Sequence, residues 1–248
     1  MKEVTAIVQA RMGSNRLPGK VLMDLCGQTV LERVVRRLAK ASSIGKVVIA
    51  TSTQAQDDVV ASECDRLRVA CFRGDEQDVL GRYMQAAEQF HCEVLVRITA
   101  DCPLIDPGVV DQVVTVYFEN SPDLACNDLP ATFPRGLDVE VFSIETLREA
   151  DKVSGLGYQR EHVTATMYER TDLFRIATVQ AEQDFSHYRW TLDTAEDLEL
   201  IREIYGHFGG RNDFRWREII EFLKFNPHLL QINAHIRQKP VCHVETSA

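Results

Sequence analysis

The feature that most constrains the fold is an alternation, clearest in the first half of the chain, of short apolar β-type runs with helical patterns. Predicted strands cover residues 4–9, 47–51, 70–72, 94–99 and 137–142, and predicted helices cover residues 57–68, 78–90, 109–119 and about 144–153. Strands that alternate with helices in this way are typical of layered folds whose sheet is largely parallel. The sequence therefore predicts an α/β fold.

One further helix is predicted after the first strand, where apolar residues recur at helical spacing. Leu31, Val34 and Leu38 lie on one face of this helix. The basic residues on its other face are Arg33, Arg36, Arg37 and Lys40. We expect these four basic side chains to form a solvated surface.

The composition predicts an ordinary globular chain of 248 residues, 45% of them hydrophobic and 26% charged. We expect one domain over residues 1–226 and a peripheral C-terminal extension over residues 227–248. The net charge of −9 argues against nucleic-acid and anionic-membrane partners, because either would require a broad basic face. A small anionic ligand requires only a local basic pocket.

The sequence also bears on location and on metal sites. No stretch approaches the roughly 18 apolar residues of a membrane span, and the first apolar run is too short for a signal peptide, so a cytoplasmic location is expected. Seven cysteines occur without any CxxC pair. Neither a disulfide framework nor a zinc site is therefore predicted.

Positive charge is concentrated in the loop after the first strand, VQARMGSNRLPGKVL, residues 8–22. This loop resembles the phosphate-binding P-loop, but five residues rather than four separate Gly13 from Gly19. Val21 also stands where the P-loop has its metal-binding Ser or Thr. The loop is therefore predicted to bind phosphate, and a metal ligand must come from elsewhere.

Two aspartates are candidates for that metal ligand. Asp101 follows the predicted strand 94–99, at the edge where open α/β sheets bind ligands. Asp193 precedes Thr194, which we expect to cap a helix with Asp197 as its partner. Mg²⁺ commonly takes one or two carboxylates together with substrate phosphates. The alternative is that Asp101 caps a turn and that Asp193 is itself the helix cap.

Several motifs together resemble a known family. They are IVQARMGSNRLPGKVL, FRGDEQDVLGRY, RITADCPLIDP, RGLDVEVF, REHVT and TLDTAEDLELI, in this order. Their order and spacing resemble those of the sugar-acid cytidylyltransferases, in the branch of the spore coat polysaccharide biosynthesis proteins. The 3-deoxy-manno-octulosonate and acylneuraminate cytidylyltransferases belong to the same family. The resemblance extends from about residue 4 to residue 201.

The resemblance implies a fold and a reaction. The fold is the nucleotide-diphospho-sugar transferase fold, a three-layer α/β/α sandwich with a mixed, mostly parallel sheet. The reaction is the transfer of CMP from CTP to a sugar, usually a 2-keto sugar acid, with Mg²⁺ and release of pyrophosphate. Its setting would be surface polysaccharide biosynthesis, and a homodimer is plausible by resemblance alone.

The resemblance also implies roles for individual residues. Those matched to the nucleotide site are Ala10, Arg11, Met12, Ser14 and Arg16, with Lys20 on the phosphates. Those matched to the base and ribose are Arg73, Gly74, Asp75 and Arg82. Asp101 and Asp193 would share Mg²⁺, and Arg11 and Lys20 would join them in catalysis.

Candidate residues for the sugar come from the second half of the chain. They are Arg135, Asp138 and Glu140 after the long loop 127–136, and Arg160, Glu161 and His162 at the expected start of a helix. An arginine can clamp a sugar carboxylate through two hydrogen bonds, and carboxylates can bind sugar hydroxyl groups. The alternative is that Asp138 and Glu140 are the solvent-facing residues of a strand and that His162 is structural.

Two other functions remain open at the level of sequence. A glycosyltransferase of related fold would use a nucleotide sugar and a DxD metal motif, for which DVE at residues 138–140 is a near variant. A non-catalytic nucleotide-binding protein would bind without turnover. The presence of Lys20, Asp101 and Asp193 argues against this last possibility.

Overall fold

A seven-stranded sheet forms the centre of the molecule, which a computed structural model describes over residues 3–238. The strands are β1 Val4–Gln9, β2 Asp24–Leu25, β3 Gln28–Thr29, β4 Ile44–Ser52, β5 Ala70–Gly74, β6 Val94–Thr99, β7 Leu124–Cys126, β8 Glu140–Ser143 and β9 Ile176–Thr178. The order in the large sheet is β5-β4-β1-β6-β8-β7-β9, while β2 and β3 form a separate hairpin. Within the large sheet, pairing is antiparallel only on the two sides of β8, which confirms a mixed, mostly parallel sheet.

Helices pack on both faces of this sheet. They are α1 Val30–Leu38, α2 Asp58–Leu67, α3 Val79–Gln89, α4 Pro107–Asn120, α5 Ile144–Val153, α6 Gly157–Glu161, α7 Ala165–Glu169, α8 Ala195–His207 and α9 Trp216–Phe225. In β6, Val94 and Val96 join one buried cluster with α1, α4, α8 and α9, whereas Leu95 joins another with α3 and α5. Alternate residues of a strand point to opposite faces. The predicted three-layer arrangement is therefore confirmed.

The parallel strands place their carboxyl ends at one edge of the sheet. Gln9 at the end of β1 is paired with Ala50 in β4 and with Thr99 at the end of β6. The loop after β1 and the segment after β6 therefore leave the sheet side by side. Open α/β sheets bind their ligands at this edge.

The strand predicted over residues 137–142 begins later than expected, at Glu140. The side chain of Asn127 forms hydrogen bonds with the backbone on both sides of Asp138: its amide donates to the Leu137 carbonyl, and its carbonyl accepts from the Val139 N–H, each at 2.8 Å. These backbone groups are consequently unavailable to a sheet ladder, and residues 137–139 form an irregular segment.

The expectation of a solvated basic face on α1 is wrong for two of its four residues. Arg33 is fully buried, and its guanidinium donates to the carbonyl oxygens of Leu25, Cys26 and Gly210 at 2.6–3.0 Å. Four of its N–H groups satisfy these inward-turned backbone carbonyls, and a fifth donates to the side-chain oxygen of Asn212 at 3.1 Å. Arg36 and Lys40 are exposed on the outer face, as expected.

Arg37 is also fully buried. It donates to the carbonyl of Ile105 at 2.7 Å and to that of Phe214 at 3.1 Å, and its guanidinium lies over the Phe214 ring. Burial lowers the pKa of Arg37. The side chain joins α1 to the segments that precede α4 and α9, which no periodicity within α1 could reveal.

Arg37→Ala should lower the free energy of unfolding by about 3 kcal/mol or more, because it leaves several buried carbonyl oxygens without donors. Arg36→Ala is the matched control on the same helix, with a side chain that is 52% exposed. It should cost less than about 1 kcal/mol. Urea denaturation of both variants measures the difference, and equal losses would show that Arg37 does not hold these segments together.

Candidate active site

The loop after β1 is fixed by its own backbone and by one buried carboxylate. The Met12 carbonyl accepts hydrogen bonds from the N–H groups of Ser14 at 2.9 Å and Gly19 at 3.0 Å, and the Met12 N–H donates to Asp57 at 2.7 Å. Gly19 has a φ of +72°, in the left-handed region that favours glycine. This turn brings Lys20 back under the loop, at the end of the sheet.

Lys20 is the central cation of the site. It is 8% exposed, and its ammonium donates to Asp101 Oδ2 at 2.9 Å, to Asp193 Oδ1 at 2.9 Å and to the Leu192 carbonyl at 2.7 Å. An ammonium has three donors, so all are used. Burial acts to lower the pKa of Lys20, but the two carboxylates outweigh burial and raise it above its ordinary value.

Asp193 is the more strongly compensated of the two carboxylates. Its Oδ2 contacts Arg16 and Arg189, each at 2.8 Å. Burial acts to raise the pKa of Asp193, but Lys20, Arg189 and Arg16 lower it below its ordinary value. The carboxylate is therefore held in its charged form.

A capping box sets the position of Asp193. Thr194 is the N-cap of α8 and accepts from the Asp197 N–H, as predicted, so Asp193 is not the cap. Asp197 is fully buried, accepts from the N–H of Asp193 at 3.0 Å and binds the Arg189 guanidinium. The same carboxylate thus orients both Asp193 and one of its cationic partners.

The segment after Pro227 reaches this network. Asn233 is buried and donates to the Arg189 carbonyl at 3.0 Å and to Asp197 at 2.9 Å, and Gln238 accepts from Arg189 at 2.7 Å. Leu229 lies in the main hydrophobic core. Residues 227–238 are therefore integrated into the fold, while 239–248 of the predicted extension lie outside the described residues.

A cavity of about 610 Å³ opens above Lys20 and the two aspartates. Six basic side chains line it, namely Arg11, Arg16, Lys20, Arg82, Arg97 and Arg135. Four acidic side chains line it as well, namely Asp101, Asp138, Glu161 and Asp193. The excess of cations suits a polyanionic ligand.

Most of the predicted site residues lie at this cavity. Besides the charged residues just named, Ala10, Ser14 and His162 line it. Burial lowers the pKa of His162, which favours a neutral imidazole. Arg11 and Glu161 face each other across the opening at 3.5 Å.

Other predicted nucleotide-site residues lie behind the cavity wall. Arg73 donates to the carbonyls of Ser52 at 3.0 Å and Gln54 at 3.1 Å, and Asp75 accepts from the N–H groups of Gln77 and Asp78. Gly74 ends β5, Met12 fixes the loop through its backbone, and neither residue lines the cavity. Arg82 is buried and bonded to the Asp75 carbonyl, yet it does line the cavity.

A smaller cavity of about 310 Å³ adjoins the first. The two share Arg97, Thr99, Arg135 and Asp138 in their walls. Glu140 lines the smaller cavity, but its carboxylate is engaged by Arg97, by Thr164 at 2.7 Å and by Tyr168 at 2.9 Å. Of the predicted sugar-binding residues, Arg135 and Asp138 are therefore the ones available to a ligand here.

Arg160 and its neighbours depart from expectation. Arg160 binds Asp78 and Asp151, each at 2.6 Å, and joins α6 to α3 and α5 outside both cavities. Residues 160 and 161 end the short helix α6 instead of opening a helix, because the Gln159 side chain caps the start of α6 by accepting from the Leu156 N–H at 3.0 Å.

Some cavity residues were not predicted from the sequence. They are Arg97, Asp128, Phe133, Ser186 and Gln238. Asp128 and Phe133 belong to the long loop 127–136, whose length and two prolines were the available signal. Gln238 carried no sequence signal.

The donor set at Lys20 fits a divalent cation that arrives with other ligands. Two carboxylates from separate segments, Asp101 and Asp193, converge on one ammonium, and Mg²⁺ accepts such oxygen ligands. Within residues 3–238, no group of three or more His, Cys, Asp or Glu side chains could hold a metal alone. Ligand phosphates would therefore have to complete the coordination.

Across residues 3–238, no helix combines the length and the apolar character needed to cross a lipid bilayer.

Comparisons with known proteins agree with this arrangement. A model of the cytidylyltransferase family matches residues 5–220. The spore coat polysaccharide biosynthesis protein SpsF of Bacillus subtilis is 34% identical over 234 residues, covering 92% of this chain and 96% of that protein. A cytidylyltransferase structure from Leptospira borgpetersenii serovar Hardjo-bovis is 33% identical, with a TM-score of 0.89 over 97% of this chain and 99% of that one.

A more distant structure shares the fold. It is that of CMP:2-keto-3-deoxy-manno-octonic acid synthetase complexed with CTP, 16% identical, with a TM-score of 0.64 over 83% of this chain and 99% of that one. The fold implied by the sequence motifs is thereby confirmed.

Asn233→Ala tests whether the C-terminal segment supports the site. The variant should lose about 1–3 kcal/mol of unfolding free energy, because buried acceptors on Arg189 and Asp197 lose their donor. His235→Ala, two residues away with a side chain 64% exposed, should change stability by less than about 0.5 kcal/mol. Urea denaturation compares them, and an unchanged Asn233→Ala variant would mean that the segment is peripheral after all.

Proposed function

Because this chain belongs to the cytidylyltransferase family and is a nucleotidyltransferase, we propose that it transfers CMP from CTP to a hydroxyl group of a 2-keto sugar acid, with Mg²⁺ and with release of pyrophosphate. The observation that carries the proposal is the convergence of Lys20, Asp101 and Asp193 beneath a predominantly basic cavity. A triphosphate needs cations on several sides, and a nucleotide-bound metal needs carboxylate oxygens.

The basic residues of the larger cavity would compensate the triphosphate. Charge builds on the phosphoryl oxygens and on departing pyrophosphate, so catalysis of this kind depends mainly on positioning and electrostatic stabilisation. Arg11, Arg16 and Arg82 line the cavity on the side of the β1 loop and α3. On binding, Lys20 would exchange its carboxylate partners for phosphate oxygens.

Asp101 and Asp193 are the residues that would hold Mg²⁺. The cation would polarise the α-phosphate and lower the repulsion between the acceptor oxygen and the polyanion. Thr99 donates to Asp101, and Arg189 donates to Asp193 at 2.8 Å, so each carboxylate is oriented before any ligand arrives. Hydrogen bonds of this kind hold carboxylates in position for a metal ion.

The smaller cavity would receive the sugar. Arg135 lines it, and its guanidinium has no hydrogen-bond partner among residues 3–238, so it is available to clamp a carboxylate. Asp128 and Ser186 line the same cavity and suit sugar hydroxyl groups. The available arginine is the reason for proposing a sugar acid.

The sequence-level alternative of a glycosyltransferase finds less support. The near variant of a DxD motif at residues 138–140 offers only Asp138, since Arg97, Thr164 and Tyr168 engage Glu140. We further propose a role in surface polysaccharide synthesis, because the Bacillus subtilis relative is named for spore coat polysaccharide biosynthesis. The proposed location is the cytoplasm, where CTP is available. The homodimer stays a prediction, to be checked by light scattering.

Calorimetry with CTP, UTP, GTP, ATP and dTTP, each with and without Mg²⁺, tests the proposed nucleotide. CTP should bind selectively and more tightly with Mg²⁺, because the metal neutralises charge between the triphosphate and the two aspartates. Preference for another triphosphate would overturn the choice of CTP. Failure of every triphosphate to bind would redirect attention to nucleotide sugars.

Asp101→Asn should lower kcat for pyrophosphate release roughly 10²-fold or more, on the scale of losing one preorganised charge-stabilising group. Asp193→Asn should lower kcat by a similar factor. Asp65→Asn, an exposed substitution on α2, is the control and should leave kcat unchanged. A normal rate in either site variant would remove that aspartate from the metal site.

A further inference from the structure

The two cavities meet at a wall that they share, formed by Arg97, Thr99, Arg135 and Asp138. If the nucleotide fills the larger cavity and the sugar the smaller, the attacking oxygen and the α-phosphorus must come together beside these side chains. Asp138 is the one carboxylate in this shared wall. We propose that Asp138 is the catalytic base that takes the proton of the attacking sugar hydroxyl group, an inference that rests on the proposed cytidylyl transfer.

The bonding of Asp138 leaves it free for this role. Its Oδ2 accepts from the Gly136 N–H at 3.1 Å, and Oδ1 accepts no hydrogen bond from any group within residues 3–238. The other carboxylates at the two cavities are engaged by side chains: Asp101 and Asp193 by Lys20, Glu140 by Arg97, Asp128 by Tyr168, and Glu161 by Arg11. A base needs an unoccupied oxygen within reach of the proton it removes.

The backbone around Asp138 is firmly held. Leu137 and Val139 are fully buried, and Asn127 binds the backbone of both. Gly136 has a φ of +102°, and a Cβ there would lie 2.7 Å from the backbone of Trp190 and Thr191. This close approach packs the turn against the segment that leads to Asp193.

The surroundings of Asp138 place its ionisation near neutral pH. Burial, together with the facing carboxylates Asp128 and Glu140, raises the pKa of Asp138 to about 6, although the Gly136 N–H and Arg135 act to lower it. Cys102 also faces it and stays a neutral thiol, because burial raises the pKa of Cys102. Above pH 6 the carboxylate is mostly ionised, yet it is more basic than an ordinary aspartate.

The proposed transfer exchanges one bond at the α-phosphorus for another. The sugar oxygen forms a bond to the α-phosphorus while the bond from that phosphorus to the bridging oxygen breaks, and the electron pair of the broken bond leaves with pyrophosphate. The hydroxyl proton passes to Asp138 Oδ1 and afterwards to solvent. No oxidant, reductant or further reactant is needed.

The first test is the pH dependence of pyrophosphate release from Mg²⁺–CTP, with 3-deoxy-manno-octulosonate and other 2-keto sugar acids as acceptors. In the wild type, kcat should rise with pH through an ionisation near 6 and then level off. Asp138→Asn should lower kcat roughly 10²–10⁴-fold, remove this ionisation and leave CTP affinity within about twofold. Asp138→Glu should restore part of the rate, and the exposed Asp65→Asn should match the wild type.

A variant Asp138→Asn that keeps the wild-type pH profile, or that loses rate only through CTP binding, would overturn the assignment. A wild type that releases no pyrophosphate with any of these acceptors would instead count against the proposed function, and with it against the base.

A second test needs no acceptor. The ¹³C signal of the Asp138 carboxyl, identified by its absence in Asp138→Asn, is titrated with and without Mg²⁺ and α,β-methylene-CTP. Negative charge arriving beside the carboxylate should raise its pKa. An unchanged titration in protein that has bound the analogue would place Asp138 away from the reacting phosphate and overturn the proposal.

Discussion

The arrangement of the site depends on one ammonium group, that of Lys20. Its three donors bind a carboxylate that follows β6, a second carboxylate that precedes α8, and the Leu192 carbonyl. Three segments far apart in sequence therefore meet at one buried charge. Removing such a charge leaves two carboxylates facing each other without compensation. The turn at Gly19, which lets the chain return under its own loop, is the local condition for this contact.

Much of the fold could be predicted from the sequence because the strands β1 and β6 are short, apolar and bounded by polar segments. Asp101 could be placed at the ligand-binding edge by the same reasoning, since the end of a parallel strand determines where the next residue lies. The predicted exposure of Arg33 and Arg37 is wrong, because the sequence pattern alone places an arginine on the polar face of a helix in solvent. Only the tertiary structure shows that inward-turned carbonyls lie above that face.

Prediction of the site from the sequence is limited for a similar reason. A motif can place Arg73 or Asp75 near a nucleotide, but it does not tell a residue that lines a cavity from one that supports its wall. The Arg73 guanidinium donates to backbone carbonyls at the end of β4, and the Asp75 carboxylate accepts hydrogen bonds that close a turn. Asp138 and Glu140 are alike in sequence, yet the first faces two cavities with one oxygen unoccupied and the second is held by three side chains.

The contacts of Asn233 and Gln238 show that the segment supporting the site ends later in the chain than the match to the family model. The family model matches residues 5–220, whereas the hydrogen bonds that orient Arg189, and through it Asp193, extend to residue 238. The candidate site at the end of the sheet thus depends in part on residues that lie beyond the match to the family model. A chain shortened to the residues that the family model matches would therefore lose the Asn233 donor and the Gln238 acceptor, and Arg189 would be held less firmly beside Asp193.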